Sequence, residues 1–320
     1  MPKTLPSVAL ALALASLAPL AASAAPREAN FTGPLVTPAV NSMPEGMVNI
    51  EPYLIHTNTR GRYDNVGHRR EEHSMVRQWQ LAVPMSYALS DTHVVQLTLT
   101  SSRTSGGGLH SDGMRTGDTT VRLQQRLRGP DADGGGLILA VAAAQRLPTG
   151  RYHQLDRNPL NGTGSGAMRT TFSFGAQQLH WLDDAHALRW RAQLAWSPTP
   201  GHIRLRDSSV YGTDAGFRGR ARLDQAWNAS VAAEYTLNPR WVLVGEAIWN
   251  RAGAVDLVGT SAEGSHMARR LKPNQDFSLA PAVEYHFTPN TGLIAGVQFT
   301  VAGRNTSDYV APQVALNMVF

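Results

Sequence analysis

The sequence predicts an all-β protein: a transmembrane antiparallel up-and-down β-barrel of about 12 strands, with 10 or 14 as the alternatives. Three observations predict it. In the final stretch, Val310, Pro312, Val314, Leu316, Met318 and Phe320 share one face of an extended strand, opposite Tyr309, Ala311, Gln313, Ala315 and Asn317; only Val319 breaks the pattern. After the N-terminal leader, no apolar run approaches the roughly 18–20 residues of a membrane-spanning helix. Long and short connections alternate along the whole chain. A mean hydropathy of -0.24 looks like a soluble protein, but barrel strands average a lipid face with a polar lumen face and give the same middling value.

The two ends agree. Lys3 precedes an apolar run from Val8 to Leu17 and the small residues Ala22, Ser23 and Ala24, the pattern of a secretory signal peptide over residues 1–24. Residues 25–45 then form an N-terminal periplasmic or lumenal segment, and 46–320 the transmembrane barrel. The chain has no cysteine, so no disulfide staples it, and passage through an oxidising periplasm leaves no stray thiols. A closing strand that ends on the free carboxylate of Phe320 looks like the assembly signal of bacterial outer-membrane barrels. It implies the barrel-assembly machinery as a partner and the outer membrane of a Gram-negative bacterium as the location.

Period-two alternation marks each strand in turn. The first, 46–57, sets Val48, Ile50, Pro52 and Leu54 against Asn49, Glu51 and Tyr53; the second, 75–89, sets Trp79, Leu81, Val83, Met85, Tyr87 and Leu89 against Gln78, Gln80, Ala82 and Ser86. The third, 93–102, has Val95, Leu97 and Leu99 outward, and the fourth, 118–127, has Val121, Leu123 and Leu127 opposite Arg122, Gln124 and Arg126. In the fifth, 137–147, Leu137, Leu139 and Val141 oppose small residues and Arg146. In the sixth, 170–181, Phe172 and Phe174 choose one face but Leu179 and Trp181 the other, which predicts a bulge. The seventh, 187–197, sets Leu188, Trp190, Leu194 and Trp196 against Arg189, Arg191 and Gln193. The eighth, 221–236, sets Leu223, Trp227, Val231 and Tyr235 against Arg222, Asp224, Asn228 and Glu234, and the ninth, 240–250, sets Trp241, Leu243 and Trp249 against Glu246. The tenth, 276–287, has Phe277, Val283, Tyr285 and Phe287 opposite Glu284 and His286; the eleventh, 292–302, has Leu293, Val297, Phe299 and Val301 outward. The terminal strand makes twelve.

Short Asp-, Asn-, Pro- and Gly-rich turns fall near 90–92, 128–135, 183–186, 238–239 and 288–291. Between them lie long links at about 58–73, 103–117, 148–168, 198–219, 251–273 and 303–308. Both termini then sit in the periplasm, every short turn lies inside the cell wall, and every long link lies outside. Tyr87, Tyr235, Trp241, Tyr285 and Phe320 collect at one strand end and Trp79, Trp196 and Trp249 at the other, as two interfacial girdles.

No catalytic, metal or cofactor site is expected. His68 to His73 carries donors but no helix to align them, and neither HxS nor GxSxG occurs. Asp183, Asp184 and His186 fall in a periplasmic turn, and Gly162 to Gly166 reads as a flexible external loop. The inward-facing charges are the candidate functional residues, because charge facing lipid is costly: Glu51, Arg122, Arg126, Arg146, Arg189, Arg191, Arg222, Asp224, Glu234, Glu246 and Glu284. They either brace the wall as ion pairs or line a path for a small solute through a barrel of very roughly 12 Å backbone radius. The formal charge of +5 becomes +4 once Lys3 leaves with the leader. In an exported barrel nucleic acid is no partner for it. Arg60, Arg62, Arg69, Arg70, Arg204, Arg206, Arg269, Arg270 and Lys272 lie in external links, where outer-membrane lipid and lipopolysaccharide phosphates are the nearest anions.

Three stretches carry a family resemblance: Phe31 to Thr37 (FTGPLVT), Asn49 to Tyr53 (NIEPY), and Gln145 to Gly150 (QRLPTG) before a glycine-rich loop. Over most of its mature length the chain resembles the outer-membrane proteins labelled "putative meta-pathway of phenol degradation", often called transporters. The resemblance implies uptake of hydrophobic or aromatic small molecules, and it carries over no functional residues. If Ala25 to Glu45 plugs the lumen, gated uptake gains; if that segment hangs in the periplasm, an open pore gains.

Overall fold

The structure, a computed structural model, describes residues 29–71, 75–131 and 134–320. The expected signal peptide and His73 lie outside the described residues. Twelve staves form the wall. They are β1 (Val48–Ile50, resumed at Tyr53–Tyr63), β2 (Arg77–Ser90), β3 (His93–Gly106), β4 (Thr119–Arg128), β5 (Leu137–Leu147) and β6 (Arg169–Trp181). The second half comprises β7 (Ala187–Ser197), β8 (Ala226–Thr236), β9 (Trp241–Ala252), β10 (Asn274–Leu279, resumed at Ala282–Thr288), β11 (Thr291–Arg304) and β12 (Ser307–Val319).

Each stave pairs antiparallel with its sequence neighbour, and β1 closes the ring by pairing with both β2 and β12. Closure is what hydrocarbon demands: in a closed ring the strand backbones pair with one another and no sheet edge meets lipid. The seal reaches the last residue. Phe320 N donates to Val48 O (2.9 Å) and Val48 N donates to Phe320 O (3.0 Å).

The alternation read from sequence is the wall's two faces. Leu81, Leu97, Leu99, Val121, Leu123, Phe172, Phe174, Leu194, Val231 and Leu243 are all exposed, an apolar band that water would not tolerate and lipid solvates. The wall is that of a transmembrane barrel. The bulge expected in the sixth strand is absent: β6 pairs without interruption with β5 and with β7. Leu179 and Trp181 keep the inward parity, and the outward His180 ring accepts a hydrogen bond from Trp190 Nε1 (3.3 Å). A bulge is unnecessary because polar side chains are tolerated on the outer face near the membrane edge.

Two long links differ from the loops that composition suggests. Segments Ile203–Arg206, Arg218–Leu223, Val255–Thr260 and His266–Leu271 form a four-stranded antiparallel sheet beyond the wall. It has its own core of Ala167, Ile203, Leu205, Phe217, Ala221 and Leu257. Gly219 and Gly259 face each other in register, and a Cβ on either would come within 2.8 Å of the other's Cα and against the Phe217 ring. Only glycine at both positions leaves room for the end of that ring against the two strands. The glycine-rich stretch read as flexible is pinned as well: Thr163 N and Gly164 N donate to Arg151 O (2.8 and 3.1 Å), and Ser165 N to Asp118 Oδ2 (2.9 Å).

Candidate functional site

The lumen is occupied by the chain's own N-terminal segment. Leu35 is buried against Val242, Val244, Ile248, Ala280, Ala282, Ile294 and Ala315 of the inner wall, and Val40 against Ile138 and Ala140. An extended segment has few internal partners for its amides, and two wall carboxylates supply them. Glu284 accepts from Thr32 N (2.8 Å) and Gly33 N (3.2 Å); Glu246 accepts from Val36 N (3.1 Å) and Thr37 N (2.8 Å). The bend between the two anchors needs Gly33, whose φ is +113° and whose missing Cβ would sit 3.3 Å from Arg191 Nη1.

A second set of charges braces the wall beside this segment. Arg189 grips Glu234 through Nε (2.7 Å) and Nη2 (2.5 Å), a bidentate pair across β7 and β8. Arg191 Nε lies 3.3 Å from the same carboxylate, and the Arg189 guanidinium also covers the Phe31 ring at 3.9 Å. Below them Arg122 donates to Gln124 Oε1, Gln124 Nε2 donates to Val40 O (3.1 Å), and Arg126 donates to Asn41 Oδ1 (2.9 Å). Between the segment and the wall remains a cavity of about 500 Å³, lined by Glu51, Tyr53, Gln96, Arg122, Arg189 and Gln313 among others.

Arg146 faces a different space, at the extracellular mouth, with Arg169 directly opposite in register. Two expected lumenal residues do not lie there. Arg222 is exposed in the external sheet, on the face opposite Ala221 and Leu223, and aligned with Asp256. Asp224 is exposed at the break between that sheet and β8, where Oδ1 accepts from Gln225 N (2.8 Å) and its backbone carbonyl from Arg169 (2.9 Å). The break at Asp224 and Gln225 inverts the inward parity, and parity continued across it misplaces both residues.

The family described as "Putative MetA-pathway of phenol degradation" matches residues 66–311. The chain belongs to this family. No curated protein matches its sequence. Among solved structures it is similar to an outer membrane channel of Pseudomonas putida F1, with 18% identity over 89% of this chain and 100% of that one, at a TM-score of 0.65. Weaker likenesses join it to the transport unit of the autotransporter AIDA-I from Escherichia coli (12% identity, 89% and 94% coverage, TM-score 0.45) and the translocator domain of the autotransporter NalP from Neisseria meningitidis (12%, 86% and 89%, TM-score 0.43). These likenesses speak to the barrel fold alone.

In this member of the phenol-degradation family, several external arginines already have protein partners. Arg69 and Arg60 bind Asp308 (2.6 and 3.3 Å), Arg70 binds Asp64 (3.2 Å) and Arg270 binds Asp256 (3.0 Å). The Asp183 turn is a structural one: the His186 ring and the N–H groups of Ala185 and His186 hold its carboxyl below the usual range. Among the described residues, no group of three or more His, Asp or Glu could hold a metal ion. Sequence reasoning missed Arg169, because a sixth strand read from residue 170 leaves it in the preceding link, whereas the strand begins at Arg169. It also missed the partners of Glu246 and Glu284, since nothing in β9 or β10 signals that backbone amides 209 and more residues away will seat on them.

Proposed function

We propose that the protein is an outer-membrane channel for small, hydrophobic or aromatic solutes, which pass by passive or facilitated diffusion once the N-terminal segment shifts. The observation that carries this reading is the way residues 32–37 are seated. Two buried carboxylates hold four backbone amides, contacts that can be broken without unpicking a single wall hydrogen bond. The family's description and the likeness to the Pseudomonas putida outer membrane channel support it. We read the chain as non-enzymatic, with outer-membrane lipid, lipopolysaccharide and the assembly machinery around it. The rival is a structural or adhesive barrel with a sealed lumen, which the Arg189–Glu234–Arg191 bracing favours. Planar-bilayer conductance and liposome uptake of aromatic solutes separate the two, using the full mature chain and a variant lacking residues 29–42. Faster uptake by the shortened variant supports the channel; no conductance and no flux from either protein sinks it.

A further inference from the structure

We propose that the extracellular mouth holds a recognition site for small organic carboxylates with an apolar body, built on Arg146 and Arg169. The inference rests on the channel reading and names the solute class that the channel would admit first. Its starting point is an arrangement that should not be stable by itself. Arg146 of β5 and Arg169 of β6 are direct cross-strand partners on the inward face, and like charges placed opposite each other in a sheet repel.

The protein supplies little to offset that repulsion. Arg169 is 7% exposed; its Nη2 donates to Asp224 O (2.9 Å), while its buried Nε has no hydrogen-bond partner. The Nε of Arg146 is equally buried and unpartnered, and stands 3.9 Å from Asp118 Oδ2. Asp118 is committed elsewhere, for its oxygens accept from Gly150 N (3.1 Å), Ser165 N (2.9 Å) and Ser165 Oγ (3.0 Å). Asp276 is bound to Asn250 Nδ2 (3.1 Å). Two guanidiniums with donors to spare therefore line one space: Arg146 is part-exposed and its ion pair with Asp118 is a loose one at 3.9 Å, whereas Arg169 is buried and bound to a backbone carbonyl rather than to a carboxylate, a costly setting for a cation.

That space has the shape of a ligand site. Its volume is about 440 Å³, within the roughly 300–1,000 Å³ of small-molecule pockets. Thr171, Asn228 and Asn250 add polar groups, and Ala144, Ala195 and Leu223 give apolar wall. Above it lies the external core containing Ala167, Tyr152 and Tyr211. A carboxylate accepts from paired guanidiniums, and an aromatic or short aliphatic body would lie on the alanines and Leu223. Lipid phosphates cannot compete for the site, because both arginines face the lumen while lipid meets the outer wall.

Calorimetric titration of the full mature chain in detergent tests this, with benzoate as probe, benzamide as its uncharged counterpart and inorganic phosphate as an anion with no apolar body. Benzoate should bind, benzamide at least tenfold more weakly, and phosphate should not displace benzoate at equal concentration. Arg146→Gln and Arg169→Gln should each weaken benzoate binding by about tenfold or more, the loss expected for a charged hydrogen bond. Arg222→Gln removes the same charge from the external face and should leave binding unchanged. Folding is checked by heat-modifiable gel mobility, and Arg146→Gln carries the test if Arg169→Gln fails to fold, since the Arg146 side chain, unlike that of Arg169, has no hydrogen bond among the described residues. Equal binding of benzamide, full displacement by phosphate, or wild-type affinity in the folded arginine variants overturns the proposal. Binding that depends on the arginines in a protein that passes no solute overturns the channel reading and leaves the site; flux without such binding does the reverse.

Discussion

At the scale of single residues, the lumen depends on a few side chains whose burial makes them expensive to change. Glu234 is fully buried between Arg189 and Arg191. Glu234→Ala strands two buried guanidiniums and should cost about 3–5 kcal/mol, read as a lower urea midpoint in detergent, whereas exposed Arg222→Ala should shift it hardly at all. Gly33→Ala acts differently. It adds a Cβ where φ is +113°, a conformation that costs a non-glycine residue roughly 1–3 kcal/mol. Because the strain falls on the seated segment and not on the wall, barrel stability should hold while solute uptake by liposomes rises toward that of the variant lacking residues 29–42. Unchanged uptake would show that the bend is not what keeps the segment in place. The inward placement of Glu234 is legible in sequence from the parity of β8; its pairing with two arginines from β7 is not, because parity gives a face and no partner.

Elements show where a period-two reading holds and where it fails. Inside the membrane it holds stave by stave, since each residue must face either hydrocarbon or lumen and no third environment exists. Outside, that constraint disappears: segments 203–206, 255–260 and 266–271 are too short to stand out as strands, and 221–223 reads as the start of the eighth wall strand although it belongs to the external sheet. Their sheet makes the link carrying His153 sensitive to acid. His153 Nδ1 accepts from Arg206 N (3.2 Å), and burial together with the Arg206 and Arg151 charges lowers its pKa below the ordinary value of about 6.5. The folded state thus prefers the neutral ring. The unfolded segment binds the proton first, so local stability is complete above about pH 6.5 and declines as the pH falls from there toward the folded value. Protection factors over 150–166 and 203–213, which remove the intrinsic slowing of amide exchange in acid, should be lower at pH 5.5 than at pH 7.5, and His153→Gln should flatten that dependence.

For the whole molecule, closure of β1 on β12 makes twelve staves one cooperative object, sealed at the pair Val48 and Phe320. Deleting Phe320 removes the last wall hydrogen bonds and the terminal aromatic carboxylate together, and should lower the heat-modifiable fraction recovered from outer membranes; normal recovery would remove Phe320 from the assembly signal. Sequence alone determined the barrel, its strand number to within two and its two faces, because alternation and turn spacing are local patterns that lipid enforces on every stave. Only the tertiary structure decided what fills the barrel. That residues 32–37 sit on Glu246 and Glu284, that two arginines meet at the mouth, and that Arg222 lies outside depend on contacts between distant segments and on one parity-inverting break. A pattern two residues long carries no information about either.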